Sequence, residues 1–300
     1  MVSPDLLVAQ IDTSLLANQI IAGISIGSWL FLVAVGLSLI FGVLDVLNFT
    51  HGVLFMIGAY VAVLAANTVG NFWLGIVAAG LVVGVVGAAL EMGFIRRVYD
   101  REPLDQLLLT FAFVLMLTDV VRIVFGTGQK SINPPAVFDF SIRFADRVAV
   151  GGYRLFVIVM ALLIMGLLFL VLDRTNIGRV TRATSSDRDM ASLLGINVPR
   201  LYTGVFFAGC VLAGIGGALV APLQSVTPSL GDQVIINAFV VAVIGGLGSF
   251  LGAFVGAMVI GLLIAVGSLV APGAGELFPF VAMIIVLVLR PEGLFGGAEA

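Results

Sequence analysis

One histidine, His51, and one cysteine, Cys210, are all this chain offers for soft-metal or thiol chemistry. A structural zinc site takes four Cys or His ligands, so no such cluster can form. A single thiol also rules out an internal disulfide. No G-x-S-x-G or H-E-x-x-H pattern surrounds His51, which leaves a nucleophile-and-base hydrolase without support. The stretch GTGQKS (Gly126 to Ser131) has the residues of a phosphate loop without its spacing, because Gln129 separates Gly128 from Lys130. No buried strand precedes it, and no G-x-G-x-x-G occurs. ATP binding by this chain, a resident metal and a resident cofactor are therefore not expected. What remains is a sparse set of polar residues inside apolar runs: Asp45, Asn48, Thr50 and His51 in LDVLNFTHG, Asp119 and Arg122 in LTDVVRIVFG, and Gln233 and Asn237. Polar groups at membrane depth are costly and often mark pathways. Asp119 and Arg122, three apart on a helix, are read as an ion pair at the membrane boundary. Asn48 and His51 share that spacing at a point where the backbone is expected to break. There they either cap helix ends or line a solute path, as broken helices often do.

The elements that position these residues are membrane spans. The chain is 61% hydrophobic and 10% charged, against about 25% charged in soluble domains. Its apolar surface exceeds what soluble domains of this length can bury, whereas about 20 apolar residues cross a bilayer stably. The fold class is all-α, a polytopic transmembrane bundle. Apolar runs fall at 16–42, 52–66, 72–95, 107–125, 155–172, 201–222, 233–270 and 277–289. The run 233–270 is too long for one crossing and is split at GGLGS (Gly245 to Ser249), giving nine segments. The run 52–66 is short and reads as a half-helix or re-entrant piece, which makes eight crossings the alternative count. The N-terminal MVSPDLLVAQIDTS lacks Lys and Arg and is a poor cleavable signal, so the first run is expected to stay as a span.

Nine of the fourteen basic residues (Arg96, Arg97, Arg101, Arg174, Arg179, Arg182, Arg188, Arg200 and Arg290) fall in the loops 96–106 and 173–200 and in the C-terminal tail. The other five are Arg122, Lys130, Arg143, Arg147 and Arg154. The positive-inside rule then places the N-terminus outside and the C-terminus in the cytoplasm. No basic block suggests nucleic acid, and membrane lipid is the expected surrounding. Small residues recur every four positions at Gly80–Gly84–Ala88, Gly209–Ala213–Gly217–Ala221 and Gly248–Gly252–Gly256, the last flanked by Ala253–Ala257–Gly261. This spacing lets helices approach closely in lipid and predicts a compact bundle.

One stretch, RATSSDRDMASLLGINVP (182–199), reads like part of a soluble protein. Ser186 and Asp189 fit a capping box, and Met190, Leu193 and Leu194 make one apolar face. Gly195 suits a helix stop and Pro199 prevents continuation. The expectation is a helix of two to three turns, meeting either lipid or the groove of another protein.

ATSSDRDMASLLGINVPR closely resembles the cytoplasmic coupling segment of permease subunits from ATP-binding cassette importers of the high-affinity branched-chain amino acid type. GLSLIFGVLDVLNFTHGVLFMIGAYVA (36–62), VAVIGGLGSFLGAFVGAMVIG (241–261) and LRPEGLFG (289–296) are similar to that family as well, in the same order. The chain departs from the family in carrying Thr184-Ser185-Ser186 where relatives often have an acidic residue. The resemblance implies a single permease domain over 1–300 with a coupling loop at about 173–200, set in the inner membrane. It implies that Asp187, Arg188, Met190, Ala191, Leu194 and Gly195 meet an ATPase subunit. It also implies a homologous second permease forming a heterodimer, two ATPase subunits using Mg-ATP, and a periplasmic or lipid-anchored binding protein. Branched-chain amino acids are the implied cargo, with urea, short amides or aromatic acids as the alternative, past candidates Asn48, His51 and Asn237. A stand-alone transporter or channel would need an intramembrane charge relay, of which the chain shows little.

Overall fold

The computed structural model describes residues 13–145 and 148–296. The N-terminal stretch up to Asp12 and the basic residue Arg147, both weighed above, lie outside the described residues. Eleven α-helices are present among them: α1 (Thr13–Leu44), α2 (Thr50–Val69), α3 (Phe72–Gly93), α4 (Pro103–Phe125), α5 (Gly152–Arg174), α6 (Asn176–Ser186), α7 (Arg188–Leu193), α8 (Val198–Val220), α9 (Leu230–Gly245), α10 (Phe250–Val270) and α11 (Phe278–Leu289). Seven are long and apolar enough to cross a membrane, namely α1 to α5, α8 and α10, while α9 and α11 are shorter apolar helices. Nine apolar segments are thus found.

Which segments are short differs from the sequence reading. The run 52–66 belongs to α2, a full helix of 20 residues. Its polar ends join because their hydroxyls find acceptors: Thr50 donates to the Thr110 carbonyl of α4 at 3.0 Å, and Thr68 donates to the Leu64 carbonyl one turn back in α2 itself. The break at GGLGS stands between α9 and α10. Gly246 and Gly248 adopt φ of 100° and 88° there, a region open mainly to glycine, and the Ser249 hydroxyl accepts the Gly252 amide to start α10.

The small-residue stripes sit at helix crossings. A Cβ on Gly27 of α1 would lie 2.7 Å from the Ala257 carbonyl of α10, and one on Gly217 of α8 would collide with the Phe55 carbonyl of α2. The bundle therefore closes backbone to backbone, with α1, α8 and α2 the most buried spans and α5 almost wholly outside. Ile123, Leu163 and Val85 are exposed on the outer helices, where lipid rather than water covers them.

The all-α reading misses one piece. Strands β1 (Ser141–Ala145) and β2 (Val148–Gly151) form an antiparallel hairpin in the long α4–α5 connection. Two short strands embedded in a helical sequence leave too little alternating pattern to stand out. Lys130, the lysine of GTGQKS, pairs its backbone with Val226 in both directions, which fixes that stretch to a neighbouring loop.

Candidate functional site

The first candidate site is the break between α1 and α2. The Asp45 amide donates to the Phe41 carbonyl, closing α1, and Asp45 turns the chain with φ of 55°. Asp is one of the few non-glycine residues that accept this conformation. The chain then runs inward to Asn48 and His51, both 0% exposed. Thr110 of α4 donates to the Leu47 carbonyl at 3.3 Å and holds the break against that helix. The His51 ring packs on Gly36, where a Cβ would lie 2.9 Å from Nε2. Neither the Asn48 amide nor either His51 ring nitrogen has a hydrogen-bond partner among the described residues. The Val33 carbonyl approaches the ring without closing a well-aligned bond. These two residues are brought together, sealed and unsatisfied.

Asn237 lies elsewhere. It lines a cavity of about 380 Å³ with Ser25, Trp29, Arg154, Gln233 and Glu276. Arg154 begins α5 and Glu276 follows α10, so this cavity sits at the end of the bundle away from α6 and α7. Ser25 is centred in Gly23-Ile-Ser-Ile-Gly27, which spells a nucleophile elbow. It lies inside α1, whose Gly27 abuts α10, so no strained turn presents the hydroxyl. Asp119 and Arg122 form the expected surface pair at 2.9 Å.

At the other end, the 182–199 stretch is two helices rather than one. Ser186 ends α6, and the residue that starts α7 is Asp187, whose carboxylate accepts the Met190 amide at 2.8 Å. The expected Ser186 cap is therefore displaced by one residue, because a carboxylate at that position caps the next turn directly. The helix that follows has six residues, not two to three turns. Gly195 ends it with φ of 85°. Met190, Leu193 and Leu194 are 53%, 82% and 75% exposed, whereas Ala191 is buried against the bundle. The apolar face is therefore real and outward, and Ala191 is its seat.

One side-chain link ties α7 to the α3–α4 connection, and a ring contact ties the start of α8 to it. Arg188 donates to Asp100 at 2.9 Å, and that bond pushes its guanidinium above its ordinary range. The Tyr99 and Tyr202 rings meet edge to face at 5.4 Å. Beneath them lies a knot that sequence reading missed. Glu91, 0% exposed near the end of α3, accepts from Arg96 Nε at 3.0 Å and Nη2 at 3.1 Å, and from the Tyr99 and Thr203 hydroxyls at 2.8 Å each. Burial and the Glu91 bond hold the Tyr99 phenol neutral well above the usual tyrosine range. Its contribution is thus constant at neutral pH and declines only above about pH 10, where the unfolded tyrosine ionises first. The one available signal was a lone glutamate in an apolar span, followed five residues later by Arg96.

A family model described as the permease component of the branched-chain amino acid transport system matches residues 19–289. The chain is 29% identical over 295 residues to the high-affinity branched-chain amino acid transport system permease protein BraD of Pseudomonas aeruginosa, covering 94% of this chain and 96% of that protein. It is 29% identical over 304 residues to the Escherichia coli permease protein LivH of the same kind of system, again covering 94% and 96%. Similarity extends to the permease protein LivM of Salmonella typhimurium, at 24% identity over 88% of this chain and 67% of that protein. No solved structure matches. Seven spans, a bundle closed through small residues and a match over almost the whole chain agree: this multi-pass membrane protein belongs to the branched-chain amino acid transport system permease family.

Proposed function

We propose that the chain is one of two permease subunits of an ATP-driven importer for branched-chain amino acids. The single observation that carries the coupling part is the exposed Met190–Leu193–Leu194 face on a helix capped at both ends. Three large apolar side chains held in water on a short rigid helix fit a helix-in-groove contact. On this reading the α6–α7 end faces the cytoplasm, as its arginines favour, and α7 seats in an ATPase subunit. Met190 and Leu194 enter the groove, with Asp187 and Gly195 setting the ends of the helix. Ala191 anchors it to the bundle, and Arg188 fixes its angle through Asp100.

The partners in this reading are a homologous permease, two ATPase subunits that bind Mg-ATP, and an external binding protein that delivers the solute. Similarity to both LivH and LivM supports a pair of different but related permeases. The whole of residues 1–300 then acts as one permease domain without catalysis of its own. Asn237 belongs to the outward cavity, and Asn48 with His51 forms the closed inner part of the path. The test is ATP-driven leucine uptake by the reconstituted assembly. Leu194→Arg should abolish uptake and release the ATPase subunits on gel filtration. Full uptake and an intact assembly with Leu194→Arg would reject the assignment.

A further inference from the structure

A second cavity, of about 690 Å³, lies at the α6–α7 end, and none of the reading above uses it. It falls within the roughly 300–1,000 Å³ of small-molecule sites. Its floor is α1, its sides are the end of α5 and the face of α6, and its far wall is the turn before α10. Two opposite charges share the rim: Arg182 Nη1 stands 3.2 Å from Asp173 Oδ1, with side chains 54% and 36% exposed. Leu39, Leu172 and Phe250 supply apolar wall beside them. Ser38 also lines it, fully buried, its hydroxyl lacking a partner among the described residues.

We propose that this cavity binds a zwitterionic amino acid with an apolar side chain. A wall of one sign would select an anion or a cation, but a carboxylate and a guanidinium side by side select a molecule carrying both charges. Arg182 takes the ligand carboxylate: a guanidinium has five N–H donors, more than its contacts to the Leu172 carbonyl and Asp173 consume. Asp173 takes the ammonium, and the Ser38 hydroxyl gains its missing partner deeper in. The apolar side chain lies on Leu39 and Phe250. Neither charge needs burying beforehand, because the two neutralise each other in the empty site. The choice of leucine as ligand and of the inner side of the membrane rests on the import reading above.

The experiment is equilibrium binding of radiolabelled leucine to the purified permease–ATPase assembly without its binding protein. Saturable binding is expected, with isocaproate (no ammonium) and isoamylamine (no carboxylate) each displacing leucine at least tenfold less well than leucine itself. Arg182→Gln and Asp173→Asn should each weaken binding at least tenfold. Ser38→Ala removes only the hydroxyl and leaves the rim untouched, and should weaken it about threefold with an unchanged melting temperature. Absence of saturable binding would overturn the proposal. So would unchanged affinity in both charge variants, or equal displacement by the singly charged analogues. Leucine uptake measured in parallel separates the two readings: binding with no uptake rejects import and leaves the site standing, while uptake with no binding rejects only the site.

Discussion

Two buried polar clusters, both at helix ends, behave in opposite ways. At Glu91 every group is answered: a carboxylate with no exposure accepts four bonds from Arg96, Tyr99 and Thr203. At Asn48 and His51 the side-chain amide and ring are equally buried, and among the described residues no well-aligned hydrogen bond answers them. A fully satisfied network is rigid and strengthens itself in a low dielectric. An unsatisfied buried polar group loses its water without recompense, about 1–3 kcal/mol each. The first cluster holds α3, the 95–101 connection and α8 as one body beneath α7. The second is a place where the resting bundle is less stable than it need be, and where rearrangement would restore hydration.

The sharpest break in this comparison is to remove the centre of each. Glu91→Leu leaves the Arg96 charge and two hydroxyls without their acceptor and should lower stability by about 3 kcal/mol, seen as a fall in melting temperature of the solubilised protein. His51→Leu should leave stability the same or higher, since it deletes an orphaned group. An equal loss in both variants would erase the distinction. Next in size, His51→Leu should reduce ATP-driven uptake at least tenfold, about 1.4 kcal/mol in the limiting step, although the protein folds normally; wild-type uptake would show that the orphaned ring is only a defect. Tyr99→Phe removes one of four donors and should reduce stability by about 1 kcal/mol. A larger fall would mean that the aromatic contact to Tyr202 depends on the phenol. The smallest effect belongs to Arg188→Gln. Its pair with Asp100 is half exposed, so denaturant stability should change by less than about 0.5 kcal/mol.

The spans were legible because lipid imposes length and apolarity on each segment independently. Their boundaries were less so, as α2 shows: Thr50 looks like a loop residue until the Thr110 carbonyl takes up its hydroxyl, and Asn67 continues the helix while staying exposed. The coupling-type helix was legible in kind, with its apolar face and Gly195 stop, but its start moved from Ser186 to Asp187 because two adjacent residues could cap. The path candidates were only partly grouped correctly. Asn48 and His51 meet, whereas Asn237 opens into a separate cavity that neither of them lines. The Glu91 knot was illegible, since Thr203 comes 112 residues later and no local period links them. The Arg182–Asp173 cavity was hidden for the same reason: its walls come from four separate parts of the chain.

The contact between Gly23 of α1 and Leu262 of α10 sets a timetable for synthesis. Helix α1 enters the bilayer with a groove whose partner is translated 239 residues later. At about 5–20 residues per second, that wait lasts roughly 12–48 s. For all that time the face of α1 around Gly23 lacks its partner helix. The packing of α1 is therefore completed only once α10, made long after it, has entered the bilayer.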